Sequence, residues 1–145
     1  KLIMINKRNI HIEIIIADYY KNITSPMLKA ASDILKKNKI TFTTTFVSGA
    51  YEVPQIIKHK IKKNNLNLFI ALGCIVKGQT YHFEVLSNSI AKSLLDLCLH
   101  NKNTFIANGI LNVNRMTQAV ARSSNKKNKG IETANAMLSI VKCIT

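Results

Sequence analysis

Few cysteines and no long apolar run occur in this sequence, and these absences exclude several classes of protein. The cysteines, Cys74, Cys98 and Cys143, are far apart and form no C-x-x-C pair, so neither a zinc site nor a disulfide framework is indicated. Unpaired thiols fit a reducing compartment, and we expect a cytoplasmic protein; Cys98 and Cys143 read as small buried side chains. No segment approaches the roughly 20 apolar residues of a membrane-spanning helix, so no membrane partner is expected.

A secretory signal is also missing, because no segment combines a charged start, an apolar middle and a small-residue cleavage site. The first residue is Lys rather than Met, and we therefore expect the natural N-terminus to extend further. The chain has 145 residues, of which 47% are hydrophobic, enough to bury a core. With no internal repeat or linker, the sequence predicts one domain over residues 1–145.

Acidic residues are scarce: 7 stand against 21 basic ones, for a net charge of +14. Such a balance can mark nucleic-acid binding, and an RNA-associated basic domain is one alternative. The lysines are scattered, however, and accompany many Asn and Ile, the residues of A/T-rich codons. The densest cluster, residues 126–129, is short and has no interleaved aromatic residue. We therefore expect no nucleic-acid partner.

Strand and helix patterns alternate four times along the chain. Residues 10–17 are nearly continuous β-branched residues, which is typical of a buried parallel strand. Further strands are predicted at 41–47, 66–73 and 104–111. This alternation predicts an α/β fold of three layers, in which helices cover both faces of a four-stranded parallel sheet. Because four strands make a small sheet, we expect another subunit to cover one of its faces or edges.

The helices follow from capping residues and apolar stripes. Ser25 and Pro26 read as the N-cap and first residue of the first helix. The second helix is predicted to open at Val53-Pro54 and to end at Asn65. Later helical patterns have apolar stripes or helical composition at residues 83–97, 114–123 and 131–141.

Polar side chains follow the strands at the edge where ligands bind in open α/β sheets. Within the segment 71–84, an apolar strand runs into a glycine-broken loop and a helix start, a place that can hold an anion and move a proton. The rule nominates a rim that offers an aromatic face, a carboxylate, a hydroxyl, an imidazole and an amide. Its members are Tyr19, Glu52, Thr80, His82 and Asn108.

Each candidate also has a purely structural interpretation, and both interpretations stay open. Tyr19 could cap the edge of the core. Glu52 precedes a helix start, where an acid favours the dipole in any case. His82 could be a solvated surface residue, and Arg122, late in its helix, could stabilise the C-terminal dipole. The functional interpretation depends on the occurrence of all these residues together, and not on any one of them.

Three stretches of the chain resemble the lumazine synthase family, which makes 6,7-dimethyl-8-ribityllumazine in riboflavin biosynthesis. The sequence GAYEVP at 49–54 resembles the family's turn, and LGCIVKGQTYHFE at 72–84 resembles its longest signature. NKGIE at 128–132 resembles the start of its last helix. Their shared order and spacing make the resemblance specific, and it covers the chain from about Asn9 to Ile140.

The resemblance implies a flavodoxin-like sandwich assembled as homopentamers, in some members as a shell of twelve pentamers and sixty subunits. It implies a transferase that condenses 5-amino-6-(D-ribitylamino)uracil with 3,4-dihydroxy-2-butanone 4-phosphate. An imine forms, phosphate leaves, and ring closure with loss of water gives the lumazine. No metal or organic cofactor is implied, and riboflavin synthase is a candidate partner. A non-catalytic flavin- or nucleotide-binding shell protein of the same fold is the alternative.

Site roles are implied by position in the same motifs. His82 would transfer protons, and Tyr19 would stack on the pyrimidine ring. Contacts to the ribitylaminouracil would come from Ala50, Tyr51, Glu52, Cys74, Ile75, Val76 and Asn108. Contacts to the butanone phosphate would come from Gln79, Thr80, Arg122 and Lys129.

The chain departs from the family pattern at several of these positions. Asn108 stands where the family usually has an aromatic residue that reaches into a neighbour's site. Asp18 and Tyr20 replace a commoner Arg and Asn beside the stacking aromatic. Cys74 replaces a Thr, Ala or Ser. Lys77 replaces an Arg, which keeps the charge but loses the planar guanidinium that can donate two parallel hydrogen bonds. None of these changes removes Glu52, Thr80, His82 or Arg122, so we expect activity.

Overall fold

Four parallel strands form a single sheet in the computed structural model, which describes residues 9–145. The strands follow the order β2-β1-β3-β4. The predicted three-layer α/β fold is confirmed. The strand bounds are β1 (His11–Ala17), β2 (Thr41–Val47), β3 (Asn67–Val76) and β4 (Thr104–Val113).

Five helices cover the two faces of this sheet. Buried side chains of α1, α4 and α5 share one apolar cluster with the sheet, and those of α2 and α3 share a second cluster on the other face. None of the helices between residues 9 and 145 is both long and apolar enough to cross a membrane. The helix bounds are α1 (Lys21–Lys37), α2 (Glu52–Lys60), α3 (His82–His100), α4 (Met116–Arg122) and α5 (Lys129–Ile144).

The sheet core follows from the alternation of β1. Ile12, Ile14 and Ile16 point to the α1 and α5 face, whereas Ile15 and Ala17 point to the α2 and α3 face. Because both faces are covered, apolar residues occupy nearly every position of the strand, as the sequence predicts.

The strand order creates a crevice between β1 and β3. From β1 the chain passes outward to β2 and then crosses back over β1 to reach β3. Ligands of open α/β sheets bind where the order reverses in this way, outside the carboxyl ends of the strands. The topology therefore selects the ends of β1 and β3 as the place to look for a site.

Several predicted element ends are wrong. Helix α1 begins at Lys21, one turn before Ser25-Pro26, because Ile23 and Thr24 are buried and continue its apolar face. Helix α2 ends at Lys60 rather than Asn65. The buried Asn67 explains this end, because its side chain bonds both the N–H and the carbonyl of Lys62 and holds that loop out of the helix.

Strands β3 and β4 are longer than predicted and remain paired up to Val76 and Val113. The placement of Asn108 in the rim at the strand ends is therefore wrong, because Asn108 pairs with Ala71 in mid-strand. The lysine-rich loop before α5 contains one turn of 3-10 helix at Asn125–Lys127.

Candidate active site

A cleft of about 560 Å³ opens at the carboxyl ends of β1 and β3, at the reversal of strand order. The segments that follow β1 and β2, the end of β3 and the first two turns of α3 form its walls. Among the predicted site residues, the structure brings Tyr19, Ala50, Tyr51, Glu52, Cys74, Ile75, Val76 and His82 together here. The other lining residues are Tyr20, Gly49, Val85, Leu86 and Ser89.

Two tyrosines follow β1 and form the aromatic part of the cleft. The Asp18 N–H donates to the Val47 carbonyl at 3.0 Å, so the tyrosines begin directly beyond the sheet. Tyr19 is 75% exposed. Its ring meets the Tyr20 ring edge-to-face, with centroids 4.9 Å apart and planes at 86°. Tyr19 thus offers aromatic surface to a ligand while one neighbour holds it.

A tight turn at Gly49 brings Glu52 to the cleft. The N–H of Glu52 donates to the Gly49 carbonyl at 3.2 Å, and α2 begins at Glu52. A Cβ on Gly49 would lie 2.8 Å from Glu52 Oε2. Glycine therefore leaves room for the carboxylate, which gives this motif position a steric reason.

Glu52 also differs electrostatically from the other acidic residues. Of the seven acidic residues, six form ion pairs with lysines within the described residues. Glu52 has no such partner in residues 9–145, although its place at a helix N-terminus favours negative charge. Its carboxylate is therefore available to accept hydrogen bonds from a polar ligand.

The end of β3 offers backbone groups to the same cleft. Pairing of β3 with β1 stops at Leu72, whereas pairing with β4 continues to Val76. On the β1 side, residues 74–76 thus have no strand neighbour in the described structure. Burial raises the pKa of the Cys74 thiol to about 11, so this side chain is a small neutral wall at ordinary pH.

His82 is the first residue of α3 and is exposed at the rim of the cleft. The preceding loop is anchored at its start, because the Lys77 N–H donates to the Val113 carbonyl at 2.8 Å. Lys77 Nζ also lies 3.1 Å from Glu84 Oε1 in the first turn of α3. The pKa of Glu84 is lowered, first by its own backbone N–H and then by Lys77.

Gln79 and Thr80 lie in this loop and are exposed. They precede His82 by three and two residues, but they do not line the cleft. Tyr19 and His82 therefore share a cavity in one protomer, and the Thr80 hydroxyl is adjacent in the chain but outside that cavity.

A second cavity of about 600 Å³ lies beside β4 and contains Arg122 and Lys129. Arg122 Nη1 donates to the Gln118 carbonyl at 3.3 Å, and its guanidinium pairs with no carboxylate among residues 9–145. Lys129 Nζ lies 2.6 Å from Glu132 Oε1. The remaining lining residues are Ile110, Leu111, Asn112, Val113, Ala121, Lys127 and Glu132.

The buried Asn128 connects the segment between α4 and α5 to helix α1. Its side-chain amide donates to the Ser123 carbonyl at 2.7 Å and the Pro26 carbonyl at 3.2 Å, and its Oδ1 accepts from the Gly130 N–H at 2.8 Å. It therefore fixes the end of α4 and the start of α5 together, which sets Arg122 and Lys129 on one surface.

Asn108 lines neither the cleft nor the cavity beside β4. It is exposed in the middle of the edge strand β4, and its Oδ1 accepts a hydrogen bond from the Ile110 N–H at 3.0 Å. Within one protomer, the predicted site residues thus form a cleft group and a cation group. Gln79 and Thr80 lie in the loop before α3, next to the cleft but not lining it, and Asn108 lies apart from both groups.

The search along strand ends missed the part of the cleft wall that α3 supplies. Val85, Leu86 and Ser89 follow His82 at three, four and seven residues, the spacing of one helical face. That spacing is visible in the sequence once His82 is placed in a helix. Tyr20, a departure from the family pattern, also lines the cleft, because it follows directly on Tyr19 beyond the end of β1.

The strand order and the crevice define a flavodoxin-like α/β protein with a cleft beyond the carboxyl ends of the sheet. The chain belongs to the 6,7-dimethyl-8-ribityllumazine synthase family, whose model matches residues 9–145. It is 36% identical over 137 residues to the enzyme of that name from Bartonella henselae, covering 92% of this chain and 88% of the relative. For Bartonella tribocorum the values are 38% over 133 residues, with 90% and 87% covered.

A relative from Buchnera aphidicola subsp. Baizongia pistaciae carries the same name and is 36% identical over 139 residues, covering 92% of this chain and 87% of the relative. The resemblance seen in the motifs is therefore confirmed along nearly the whole chain. The alternative of a non-catalytic flavin- or nucleotide-binding protein is not favoured.

Proposed function

We propose that this chain condenses 5-amino-6-(D-ribitylamino)uracil with 3,4-dihydroxy-2-butanone 4-phosphate to give 6,7-dimethyl-8-ribityllumazine, phosphate and water. The observation that carries the proposal is the meeting of Tyr19, Glu52 and His82 in one cleft, in a member of this family. An aromatic face, a carboxylate without an ion-pair partner in residues 9–145 and an imidazole are the groups that a flat, polyhydroxylated amine and a proton-transfer reaction require.

The ribitylaminouracil would lie in the cleft, with Tyr19 stacked on its pyrimidine ring. Such stacking is worth about 0.5–1.5 kcal/mol beyond area burial. The free backbone side of Cys74, Ile75 and Val76 suits the amide-like edge of the ring. Ala50, Tyr51 and Glu52 would contact the ring and the ribityl chain, with the Glu52 carboxylate accepting from its hydroxyls.

The butanone phosphate would bind at the outer end of the cleft, near the loop that holds Gln79 and Thr80. Backbone N–H groups and a hydroxyl suit phosphate oxygens, and a guanidinium donates two parallel hydrogen bonds to them. Arg122 and Lys129 lie in the cavity beside β4 of the same protomer, not in the cleft. We therefore propose that a neighbouring protomer supplies Arg122, Lys129 and Asn108 to each cleft.

This arrangement requires a homo-oligomer, and we propose a homopentamer or a sixty-subunit shell of twelve pentamers. Large apolar side chains exposed on α3 support an interface: Val85, Leu95 and Leu99 are 52%, 59% and 71% exposed. The same helix buries Ile90 and Leu94 against the sheet, so it is apolar on two sides. A helix of this kind needs a second partner surface.

The proposed reaction depends more on the orientation of the two substrates than on the strength of an acid or base in the protein. An amine that attacks a ketone is already reactive, and holding two reactants in one orientation can remove about 7–11 kcal/mol of barrier. His82 would carry protons during imine formation and phosphate elimination, a contribution of roughly 10²–10⁴-fold. We therefore expect the residues that orient the substrates to matter at least as much as His82.

We place the protein in the cytoplasm, where its three free cysteines would stay reduced. Riboflavin synthase is the candidate partner protein, because its substrate would be this product.

One assay tests the proposed function. The purified chain is mixed with both substrates, and lumazine absorbance and fluorescence are followed, with light scattering on the same sample to measure assembly. Enzyme-dependent lumazine formation by an oligomer supports the proposal. Product formation no faster than in the protein-free control would overturn it.

A further inference from the structure

Tyr20 lies in the cleft beside Tyr19, at a position where the family pattern has a commoner Asn. We propose that Tyr20 is a positioning residue: its ring holds the Tyr19 ring in the plane that stacks on the heterocycle. The inference rests on the proposed function, because it assigns this task in the ribitylaminouracil half of the site. It assigns Tyr20 no part in proton transfer.

Tyr20 is fixed by its neighbours. Its carbonyl accepts hydrogen bonds from the Ile23 N–H at 2.9 Å, the Thr24 N–H at 3.0 Å and the Thr24 hydroxyl at 3.2 Å. Its ring is half-buried and packs against the apolar cluster that α1 and α5 share with the sheet. The backbone and the ring of Tyr20 are thus both anchored in the protein core.

Tyr19 depends on Tyr20 for its orientation. Its side chain is largely exposed, and among the described residues the edge-to-face Tyr20 ring is its one aromatic neighbour. An unsupported exposed ring would sample several rotamers, and stacking a ligand on it would then cost conformational entropy. The 4.9 Å contact restricts the ring in advance of binding.

The Tyr20 phenol has a pKa above its ordinary value. Desolvation is the main cause that raises the pKa of this phenol, followed by Tyr19 and by Cys74. The phenol therefore stays protonated at ordinary pH. Its ring acts as an uncharged support, and the geometry of the two rings carries the inference.

A simpler role is open to test, namely that Tyr20 only packs the core at the start of α1. That role predicts lower thermal stability on truncation and unchanged ligand affinity. If Tyr20 instead supports the Tyr19 ring, truncation of Tyr20 weakens ligand binding. That loss of affinity then disappears in a variant that already lacks the Tyr19 ring. A double-mutant cycle separates the two roles.

The cycle compares the unaltered chain with Tyr19→Leu, Tyr20→Leu and the double variant, using the fluorescence of 6,7-dimethyl-8-ribityllumazine to measure Kd. Tyr20→Phe tests rescue of the ring contact. Phe105→Leu is the control, because Phe105 packs against the same cluster from the opposite end of the sheet. Melting temperatures and steady-state kinetics are measured on every variant, and Tyr20→Met replaces Tyr20→Leu if the latter does not fold.

We expect Tyr20→Leu to weaken lumazine binding about three- to tenfold, the range of an aromatic pair. The KM of ribitylaminouracil should rise equally, with the KM of the butanone phosphate unchanged. Tyr20→Phe should restore binding, and Tyr20→Leu should add no further loss to Tyr19→Leu. Additive losses, or a lower melting temperature with unchanged Kd, would overturn the inference. Failure of the unaltered chain to form lumazine would instead overturn the proposed function, and this inference with it.

Discussion

The cleft beyond β1 and β3 and the cavity beside β4 differ in what they can bind, although they have similar volumes of about 560 and 600 Å³. The cleft is lined by four aromatic or imidazole side chains, those of Tyr19, Tyr20, Tyr51 and His82. Its one carboxylate, that of Glu52, forms no ion pair within residues 9–145. Among the described residues, the cavity lining has no aromatic ring. It carries the Arg122, Lys127 and Lys129 cations and one carboxylate, Glu132, which pairs with Lys129. The first suits a flat, polar, uncharged molecule, whereas the second suits a phosphate.

Under the proposed function, this division would leave one protomer with an incomplete site. The reaction joins an uncharged heterocycle to a phosphate ester, so both kinds of surface must meet at one place. Two copies of the chain can bring the cleft of one against the cavity of the other. The separation of the predicted site residues within one protomer therefore predicts that the protein is an oligomer.

The largest expected effect comes from Gly130→Ala, which disturbs the packing of α5 against α1 that positions the residues of the cavity. A Cβ at this position would lie 2.0 Å from the Met27 carbonyl oxygen, where α5 passes against α1. Backbone cannot yield as a side chain can, so we expect a loss of at least about 3 kcal/mol in the free energy of unfolding or failure to fold.

Denaturant unfolding measures that loss. Gly78→Ala is the matched control, because a Cβ there would meet nothing within 4 Å, and its free energy of unfolding should change little. Unchanged stability of Gly130→Ala would contradict the close approach of α1 and α5 on which the cavity depends.

Arg122→Ala should affect the phosphate substrate alone. Loss of a charge-assisted contact costs about 1.5–3 kcal/mol, so we expect the KM of the butanone phosphate to rise about 10- to 100-fold. The KM of ribitylaminouracil should stay within about twofold. Lys126→Ala, which removes a cation from the same segment but not from this cavity, is the control, and an unchanged phosphate KM for Arg122→Ala would refute the assignment.

His82→Ala should lower kcat by about 10- to 100-fold and leave measurable turnover, an effect at or just below the lower end of the roughly 10²–10⁴-fold that positioned acid–base help supplies. The substrates are oriented by other residues and the amine is already reactive. Steady-state kinetics on this variant and on His59→Ala, an exposed histidine in the last turn of α2, give the comparison. Complete loss of turnover would show that proton transfer dominates and would refute the emphasis on positioning.

The smallest expected effect concerns the cleft thiol. Because burial raises the pKa of Cys74 to about 11, its reactive thiolate should be rare below that pH, and alkylation should accelerate as the pH rises toward 11. The expectation of buried side chains at Cys98 and Cys143 is wrong, because Cys98 is only partly buried and Cys143 is exposed. Cys143 should therefore react first at pH 8. Mass spectrometry after timed alkylation measures both rates, and faster labelling of Cys74 than of Cys143 at pH 8 would contradict the closed packing at the end of β3.

Local patterns predicted most of the fold, and the reasons are visible in particular elements. The β-branched run Thr41–Val47 has the predicted bounds of β2, because both ends carry strong turn signals. The start of α1 was missed because Pro26 resembles a helix start, whereas burial of Ile23 one turn earlier determines where the helix begins. The continuation of β4 to Val113 depends on pairing with β3, which no local signal reports.

The residues of the cleft were largely predictable from the sequence. The separation of the site residues between the cleft and the cavity beside β4 was not. Strand ends and motif spacing identify Tyr19, Glu52 and His82, since carboxyl ends of parallel strands meet at one edge. The sequence does not report that β4 is an edge strand, so that Arg122 at the end of α4 and Lys129 at the start of α5 line a cavity beside it and not the cleft of the same protomer. Only the strand order makes this clear.

The most direct test of the shared site is complementation in mixed oligomers. One parent carries Glu52→Gln with His82→Ala, which disables the cleft, and the other carries Arg122→Ala, which disables the cavity. The two chains are unfolded and reassembled at equal amounts, and kcat/KM is measured at low butanone phosphate. A site built by two protomers predicts that mixing restores about a quarter of the unaltered activity per chain, since half the clefts and half the cavities are intact. Activity equal to the mean of the two parents would contradict it.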